Sequence, residues 1–264
     1  MIIDFHTHIY PDALAPRVIQ KLTHGLPLAI RPATDGTLKG LLRHMDESGV
    51  DISVIQPVVT RPGQFKTVNE WAAACQSARV IAFGGLYPDP ATYKSDIDVI
   101  VSMGFKGIKL HCEFQNFTLD DPFMLRVYDY ALSRGLIILH HAGYDPSFKP
   151  PYHSSPRQFA SVVDQLKGGV FVAAHLGGYG AWDDTERYLV GRDIYLDISD
   201  GLSYMPREQF ERIARNHGAD RLLFASDSPW GDPKKEMELL QKTSLSEEEK
   251  ALILGGNATR ILGL

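Results

Sequence analysis

Eight short apolar segments recur along this chain, and helical patterns fill the spaces between them. They are Ile2–Phe5, Ile52–Pro57, Val80–Leu86, Gly107–Leu110, Leu136–His140, Val170–Ala174, Ile194–Ile198 and Leu222–Ala225. Short strands that alternate with helices pair in parallel through crossover connections. An open doubly wound sheet and a closed barrel both satisfy that pattern. The count of eight, in a chain of 264 residues, favours the barrel, which takes about 250 residues. The expected fold class is α/β, a (β/α)8 TIM barrel. No linker, repeat or low-complexity stretch interrupts the alternation, so residues 1–264 read as one domain.

The intervening segments carry helix punctuation. "TLKGLLRHMDESGV" sets Leu38, Leu41, Leu42 and Met45 on one stripe and stops at Gly49. "DDPFMLRVYDYALSRG" offers Asp120 or Asp121 as N-cap, Pro122 in the first turn and Gly135 past the last. "PREQFERIARNHG" repeats that grammar with Pro206 and Gly218. Two connections are longer than the rest. One follows His8 and runs through "YPDALAPRVIQKLTHGLPLAIRPATDG"; the other follows His141 and includes "AGYDPSFKPPYHSSP". Both leave C-terminal strand ends, the face where a barrel gathers its functional loops.

Composition excludes several classes of function. A net charge of -5 with no long run of one sign lacks the basic face of a nucleic-acid binder. Two cysteines, Cys75 and Cys112, far apart and in no C-x-x-C pattern, give neither a disulfide framework nor a thiolate zinc site. No apolar stretch is long enough to span a bilayer, and the first residues read as a strand rather than a leader. A soluble, cytoplasmic protein is expected, with a small-molecule substrate, no nucleic-acid or membrane partner, and room for a homodimer.

The histidines carry the functional signal. Of ten, His6, His8, His111, His140, His141 and His175 all stand at the C-terminal ends of expected strands, which a barrel brings to one mouth. In "DFHTH", His6 and His8 are two apart and share a strand face, which makes half of a metal site. In "KGIKLHCE", Ile108 and Leu110 face the helices, while Lys109 and His111 point inward. "GVFVAAHLGG" puts Phe171, Ala173 and His175 on one face. "LLFASDSPW" groups Leu223, Ala225 and Asp227 and adds a carboxylate. Imidazoles with one carboxylate suit zinc, iron or manganese. In "LIILHHAG" both faces are apolar, so alternation does not choose between His140 and His141.

Taken in order, these motifs resemble the amidohydrolase superfamily of metal-dependent barrels, in the amidohydrolase-2 branch that includes amino-carboxymuconate-semialdehyde decarboxylase. "DFHTH", "GFKGIKLH", "GLIILHHAG", "AAHLGG", "LLFASDSPW" and "ILGGNATRILGL" are similar to its successive strand-end and closing segments. The resemblance implies one divalent metal, zinc first with Mn2+ or Fe2+ accommodated, held by His6, His8, His141 and Asp227. It leaves His140 as a departure at a position usually apolar. It implies catalytic roles for Asp227, as proton carrier, and for His175, beside the metal. Substrate contacts are expected from Lys109, His111, Arg61, Tyr10 and Trp230.

Such a metal polarises a substrate oxygen and lowers the pKa of its water to about 7. The leading expectation is hydrolysis of an ester, lactone or amide. The alternative, which the same branch accommodates, is non-oxidative decarboxylation of an unsaturated or aromatic carboxylic acid, with a cation such as Arg61 anchoring the carboxylate.

Overall fold

In the computed structural model, which describes residues 1–24 and 31–264, parallel strands follow the order of the sequence around a barrel. They are β1 (Ile3–Thr7), β2 (Ile52–Ile55), β3 (Val80–Ala82), β4 (Gly84–Gly85), β5 (Gly107–Leu110), β6 (Ile137–His140), β7 (Phe171–Ala173), β8 (Tyr195–Asp197) and β9 (Leu222–Leu223). Each of the eight expected segments overlaps a strand; the third overlaps two, and β1 runs past the expected end at Phe5 to Thr7. There β3 pairs with β2, and β4 pairs with β5. Phe83 lies between the two pieces and donates its N–H to Ile55 O at 2.9–3.0 Å spacing typical of the ladder, here 3.0 Å. The ring closes where Phe5 N donates to Phe224 O (2.9 Å), Asp227 N donates to His6 O (2.9 Å), and Thr7 bridges Ser228 in parallel. Part of the long connection after β1, residues 25–30, lies outside the described residues.

The barrel has two apolar layers. Inside it, Ile3, Phe5, Val54, Phe83, Leu139 and Val172 form one buried cluster. Phe5 and Phe83 meet edge to face at 5.6 Å, an arrangement that adds to the roughly 1.5–3 kcal/mol from burying each ring. Ile108, Leu110, Ile138, Phe171 and Phe224 belong instead to the layer shared with the helices. Ala258 and Leu262, on the last helix (Asn257–Leu262), plug the bottom of the inner cluster. That plug sits close because Gly255 has no side chain: a Cβ there would lie 2.2 Å from Met1 O. Asn257 fixes it by donating to Ala219 O and Leu222 O, both at 2.8 Å.

Inner and outer faces follow the expected alternation on β5, where Lys109 is buried inward, and on β9, where Leu223 and Ala225 are inside. On β7 the expectation needs correction. Phe171 and Ala173 lie in the outer layer, while Val172 and Ala174 lie inside. His175 reaches the mouth through a backbone kink, with φ 55° at His175 and 53° at Leu176. The first strand carries a bulge: Asp4 pairs with Ser53, but Thr7 pairs with Ile55. The extra residue reverses parity after Phe5, so Ile3 and Phe5 fill the interior and His6 and His8 still face it.

Helix ends follow their signals. Thr37 caps Leu38–Ser48 by accepting from Gly40 N at 2.9 Å, and Gly49 ends it at φ 79°. Of the two candidate caps before Pro122, Asp121 is used, accepting from Phe123 N at 2.7 Å. Cys75 and Cys112 are both free and buried. No helix among the described residues is long and apolar enough to cross a membrane.

One buried carboxylate sits away from the strand ends. Glu236, in the helix Pro233–Gln241, accepts from Ser203 Oγ through one oxygen and has no partner for Oε2. Burial lifts its carboxyl from 4.5 to about 7. A carboxyl raised by folding favours the fold at low pH and loses that advantage as pH rises through 4.5 towards 7. Glu236→Gln keeps the Ser203 contact and removes the charge. It should stabilise the protein by on the order of 1–3 kcal/mol at pH 8, with the gap shrinking towards pH 4.5. Denaturant unfolding of both proteins across that range measures it; an equal difference at all pH values would rule out the buried charge as the cause.

Candidate metal centre

The centre is assembled from the ends of four strands. His6 comes from β1 and His8 from the residue after it, His141 from the residue after β6, His175 from just past β7, and Asp227 from the turn after β9. His6 Nε2 lies 3.1 Å from His8 Nε2 and 3.4 Å from Asp227 Oδ1, which is 3.3 Å from His8 Nε2. These three residues offer ligand atoms within 4.8 Å of one another. His141 stands one ring further on, with its Nδ1 3.2 Å from His175 Nε2. Lys109 Nζ lies 2.9 Å from His6 Nε2.

Asp197, at the end of β8, orders this group. Its Oδ2 is 2.9 Å from His6 Nδ1. Its Oδ1 accepts from His175 N (3.0 Å), Ser199 N (3.1 Å) and Ser199 Oγ. A carboxylate only accepts, so His6 carries its proton on Nδ1 and presents a bare Nε2. Ser199 spends its proton on Asp197, so its oxygen, 2.9 Å from His175 Nδ1, accepts from that nitrogen. His175 Nε2 is then bare and accepts from His141 Nδ1. His141 Nε2 is left buried with no hydrogen-bond partner. The network thus assigns lone pairs to His6 Nε2 and His141 Nε2.

Electrostatics agree with that assignment. Burial, reinforced by the Lys109 ammonium, takes His6 well below its ordinary value and His8 down to about 3. His175 falls to about 4 and His141 well below the ordinary range, both chiefly from burial. All four are neutral at pH 7, as ligation requires. Burial also draws Lys109 down to about 8 against the pull of Asp227, Asp197 and Asp145, and pushes the Asp227 carboxyl well up. His6 Nε2 and His8 Nε2 stand 3.1 Å apart beside Asp227 Oδ1. A divalent cation fits that donor set: His6, His8 and Asp227 would hold it, with His141 Nε2 as the fourth donor, and the carboxylate on His6 Nδ1 is the usual support for a metal-binding histidine.

Backbone strain gathers here. Outside glycine, φ is positive at Asn116, His175, Leu176, Asp200 and Asp227 among the described residues, and four of these five surround the mouth. Left-handed backbone at side-chain-bearing residues persists where a site over-determines it. Asp227 is aimed by its neighbours: Asp4 accepts from Ser226 N (2.9 Å) and Ser226 Oγ (2.5 Å), which pins the turn to β1. Burial raises the Asp4 carboxyl to about 7. Gly143 lets the loops after β6 and β7 touch, since a Cβ there would meet Tyr179 N at 2.2 Å.

The other expected residues divide. His111 is buried and stacks on His141 with ring centroids 4.2 Å apart. Tyr10 and Trp230 are half-buried; burial first, and the Asp227 carboxyl second, push the Tyr10 hydroxyl up, and Trp230 N donates to Asp227 O at 2.9 Å. Arg61 is exposed and joins no side-chain hydrogen bond or ion pair among the described residues, so it is not part of this cluster. His140 points outward, ringed by Phe117, Tyr128 and Phe159, with Nδ1 donating to His141 O at 2.7 Å and Nε2 3.7 Å from Cys112 Sγ. Asp197, Ser199, Asp200 and Asp4 were not expected. The available signal was a carboxylate inside an apolar strand, in "IIDFH" and "IYLDIS", since an Asp is rarely fully buried without a partner.

A family model described as Amidohydrolase matches residues 3–264. Among solved structures, a TIM-barrel protein of Bordetella bronchiseptica superposes with TM-score 0.77 at 20% identity, covering 99% of this chain and 98% of its own. The 5-carboxyvanillate decarboxylase of Sphingomonas paucimobilis gives 0.74 at 17%, covering 100% and 99%. A dihydroxybenzoic acid decarboxylase of Polaromonas, with bound manganese and 2-nitroresorcinol, gives 0.75 at 16%, covering 100% and 97%. No curated protein matches the sequence.

Three substitutions test the centre. Asp197→Asn removes the charge that fixes the His6 proton and should weaken metal binding by about 10–100-fold without unfolding the barrel. His141→Ala should release metal, whereas His140→Ala should lower thermal stability with less effect on metal. Chelator competition and elemental analysis read all three; metal loss from His140→Ala alone would make His140, and not His141, the ligand.

Proposed function

The chain belongs to the amidohydrolase family, and on that premise we propose that it is a divalent-metal-dependent decarboxylase of a small unsaturated or aromatic carboxylic acid. This reverses the order expected from sequence, where hydrolysis led. The observation that carries the reading is Lys109, an ammonium almost wholly buried among the candidate ligands. A buried cation there attracts an anionic substrate oxygen, the role sequence reasoning gave to Arg61. Aromatic walls support a planar substrate. Phe114 meets His111 at 4.6 Å and Phe148 at 4.9 Å on one side; Tyr179 meets His175 at 6.0 Å and Tyr204 at 5.9 Å on the other. The folds of the decarboxylases named above add to the same reading.

A metal at His6, His8, His141 and Asp227 supplies Lewis-acid polarisation of a substrate oxygen, and the nitrogen-rich set suits zinc while tolerating manganese or iron. The chain's own residues do the rest. Lys109 draws in the carboxylic acid and holds a negatively charged oxygen. The carbon–carboxylate bond breaks, carbon dioxide leaves, and the electron pair stays on the ring or alkene carbon. Asp227, held close by His6 and His8, is positioned to deliver the proton that carbon needs. His175 keeps the His141 ring in place and faces the same space.

The experiment is a panel of unsaturated and aromatic carboxylic acids beside lactones, esters and amides. The expected result is stoichiometric carbon dioxide, with deuterium from D2O on the vacated carbon. Oxygen from labelled water in the product, with no carbon dioxide, would restore hydrolysis. Lys109→Met should abolish turnover while the metal stays, and Arg61→Ala should leave it unchanged. His175→Ala should reduce turnover by about two to four orders of magnitude with metal still held by His6, His8 and Asp227.

A further inference from the structure

His141 is gripped from two sides. On its edge, Nδ1 meets His175 Nε2 at 3.2 Å, and that contact leads back through Ser199 to Asp197. On its face lies the His111 ring, with centroids 4.2 Å apart and planes 10° from parallel. His111 is itself held at three points. Its backbone N donates to Gln115 Oε1 at 2.9 Å. Gln115 Nε2 donates in turn to Val59 O (2.7 Å) and Leu86 O (2.6 Å), which ties His111 to the connections after β2 and β4. Phe114 packs edge to face on the ring at 4.6 Å. The third point is Asp145, whose Oδ2 lies 3.1 Å from His111 Nε2. Asp145 stands in the long connection after His141, and Ser147 N donates to its Oδ1 at 2.7 Å, an Asx turn that steadies the carboxylate. Burial pushes the Asp145 carboxyl up, but the hydrogen bonds from His111 and Ser147 outweigh it and hold it below the ordinary value. An ionised carboxylate only accepts, so His111 carries its proton on Nε2. Its Nδ1 is buried without a hydrogen-bond partner, and Glu113 Oε2, at 3.6 Å, is out of range. Among the described residues, Asp145 thus makes the one hydrogen bond that sets the rotation of the His111 ring.

We propose that Asp145 is a positioning residue for the metal centre: through His111 it keeps the His141 ring in the plane that presents Nε2. The inference rests on the centre at His6, His8, His141 and Asp227. The contact with His175 fixes one point on the edge of the His141 ring and leaves its plane free to tilt. A flat neighbour on the face removes that freedom, but only if the neighbour does not turn. The terminal torsion of a histidine is broad, and a hydrogen bond in the ring plane narrows it. The lone pair of His141 Nε2 lies in the plane of its ring, so the plane of His111 decides where that lone pair points. Two carboxylates then anchor one ligand from opposite sides. Asp197 reaches His141 through Ser199 and His175, and Asp145 reaches it through His111. Such outer partners are part of a metal site's affinity.

The test is a double-mutant cycle on the full chain, read by chelator competition for Zn2+. Asp145→Ala should weaken binding by about 10–100-fold. His111→Phe, which keeps a flat ring but breaks its tie to Asp145, should weaken it by a similar factor. The combined variant should be no weaker than the weaker of the two. Losses that add would mean that Asp145 acts as a charge on the mouth and not through His111, and would overturn the proposal. So would unchanged affinity in Asp145→Ala. With Co2+ in place of Zn2+, the visible bands of both single variants should shift in the same sense, a change of ligand geometry that lost stability alone does not produce. The 15N shifts of the His111 ring in the metal-free chain give a readout that needs no metal. They should show Nε2 protonated in the wild type and a mixture of tautomers in Asp145→Ala. A chain that binds Zn2+ with His111 protonated at Nδ1 would sink the role of Asp145 and leave the centre standing. A chain that binds no Zn2+ would sink both.

Discussion

The buried carboxylate of Asp197 is the constraint on which the mouth of this barrel depends. Isolated in an apolar interior, an ionised carboxyl would be costly. Here its two oxygens collect the His6 ring, two backbone N–H groups and the Ser199 hydroxyl, so the charge is matched in place. Each of those bonds settles a proton. His6 must protonate at Nδ1, Ser199 must point at Asp197, His175 must then donate to Ser199, and His141 to His175. One acceptor at the end of β8 therefore sets the tautomers of three imidazoles from three other strands. Neutral histidine is a ligand only through its bare nitrogen, and the direction of each bare nitrogen follows from Asp197.

Strand geometry alone would not deliver those side chains. Alternation sends every second residue inward, and three of the five candidate positions depart from simple alternation. β1 gains a residue, so Phe5 fills the core while His6 and His8 still turn to the mouth. β7 ends in a left-handed kink that swings His175 in from the outer series of Phe171 and Ala173. Asp227 keeps the inner parity of Leu223 and Ala225 but holds φ at 58°, with Asp4 fastening the preceding serine. Packing below makes these departures tolerable: a barrel filled by Phe5, Phe83 and Leu139 resists relaxation of its rim.

The same facts explain what could be read from the sequence. Strand positions, order and β5 boundaries follow from local apolar runs, and caps such as Thr37 and Asp121 follow from local chemistry. The split at Phe83 depends on two different neighbours, which no local pattern contains. His6, His8, His111, His175 and Asp227 were found because each stands at a strand end. The choice of His141 over His140 needed a family resemblance, since both faces of "LIILHH" are apolar. Its physical basis is tertiary: His140 fits among Phe117, Tyr128 and Phe159, and His141 does not share that side. Asp197 and Asp4 escaped because their partners lie 191 and 222 residues away. Arg61 looked well placed by a short connection, but proximity in sequence to a strand end does not fix the direction of a long, exposed side chain.

Charge balance runs through the whole mouth. Asp227, Asp197 and Asp145 all act on Lys109, and Asp200 and Glu113 stand close behind His175 and His111. The imidazoles among them are neutral, and burial holds the Asp227 and Asp200 carboxyls well above the usual carboxylate range. Opposite charges in such a water-poor space interact far more strongly than at the surface, so a divalent cation beside these carboxyls favours their ionised form. It also bears on substrate choice. Negative charge repels an incoming acid unless cations outweigh it locally, which a metal between His6, His8 and Asp227 would do together with Lys109. A neutral ester or lactone has no such requirement. The buried Lys109, on which Asp227, Asp197 and Asp145 all act, is the feature that supports the proposed anionic substrate, because the metal ligands alone would serve either chemistry.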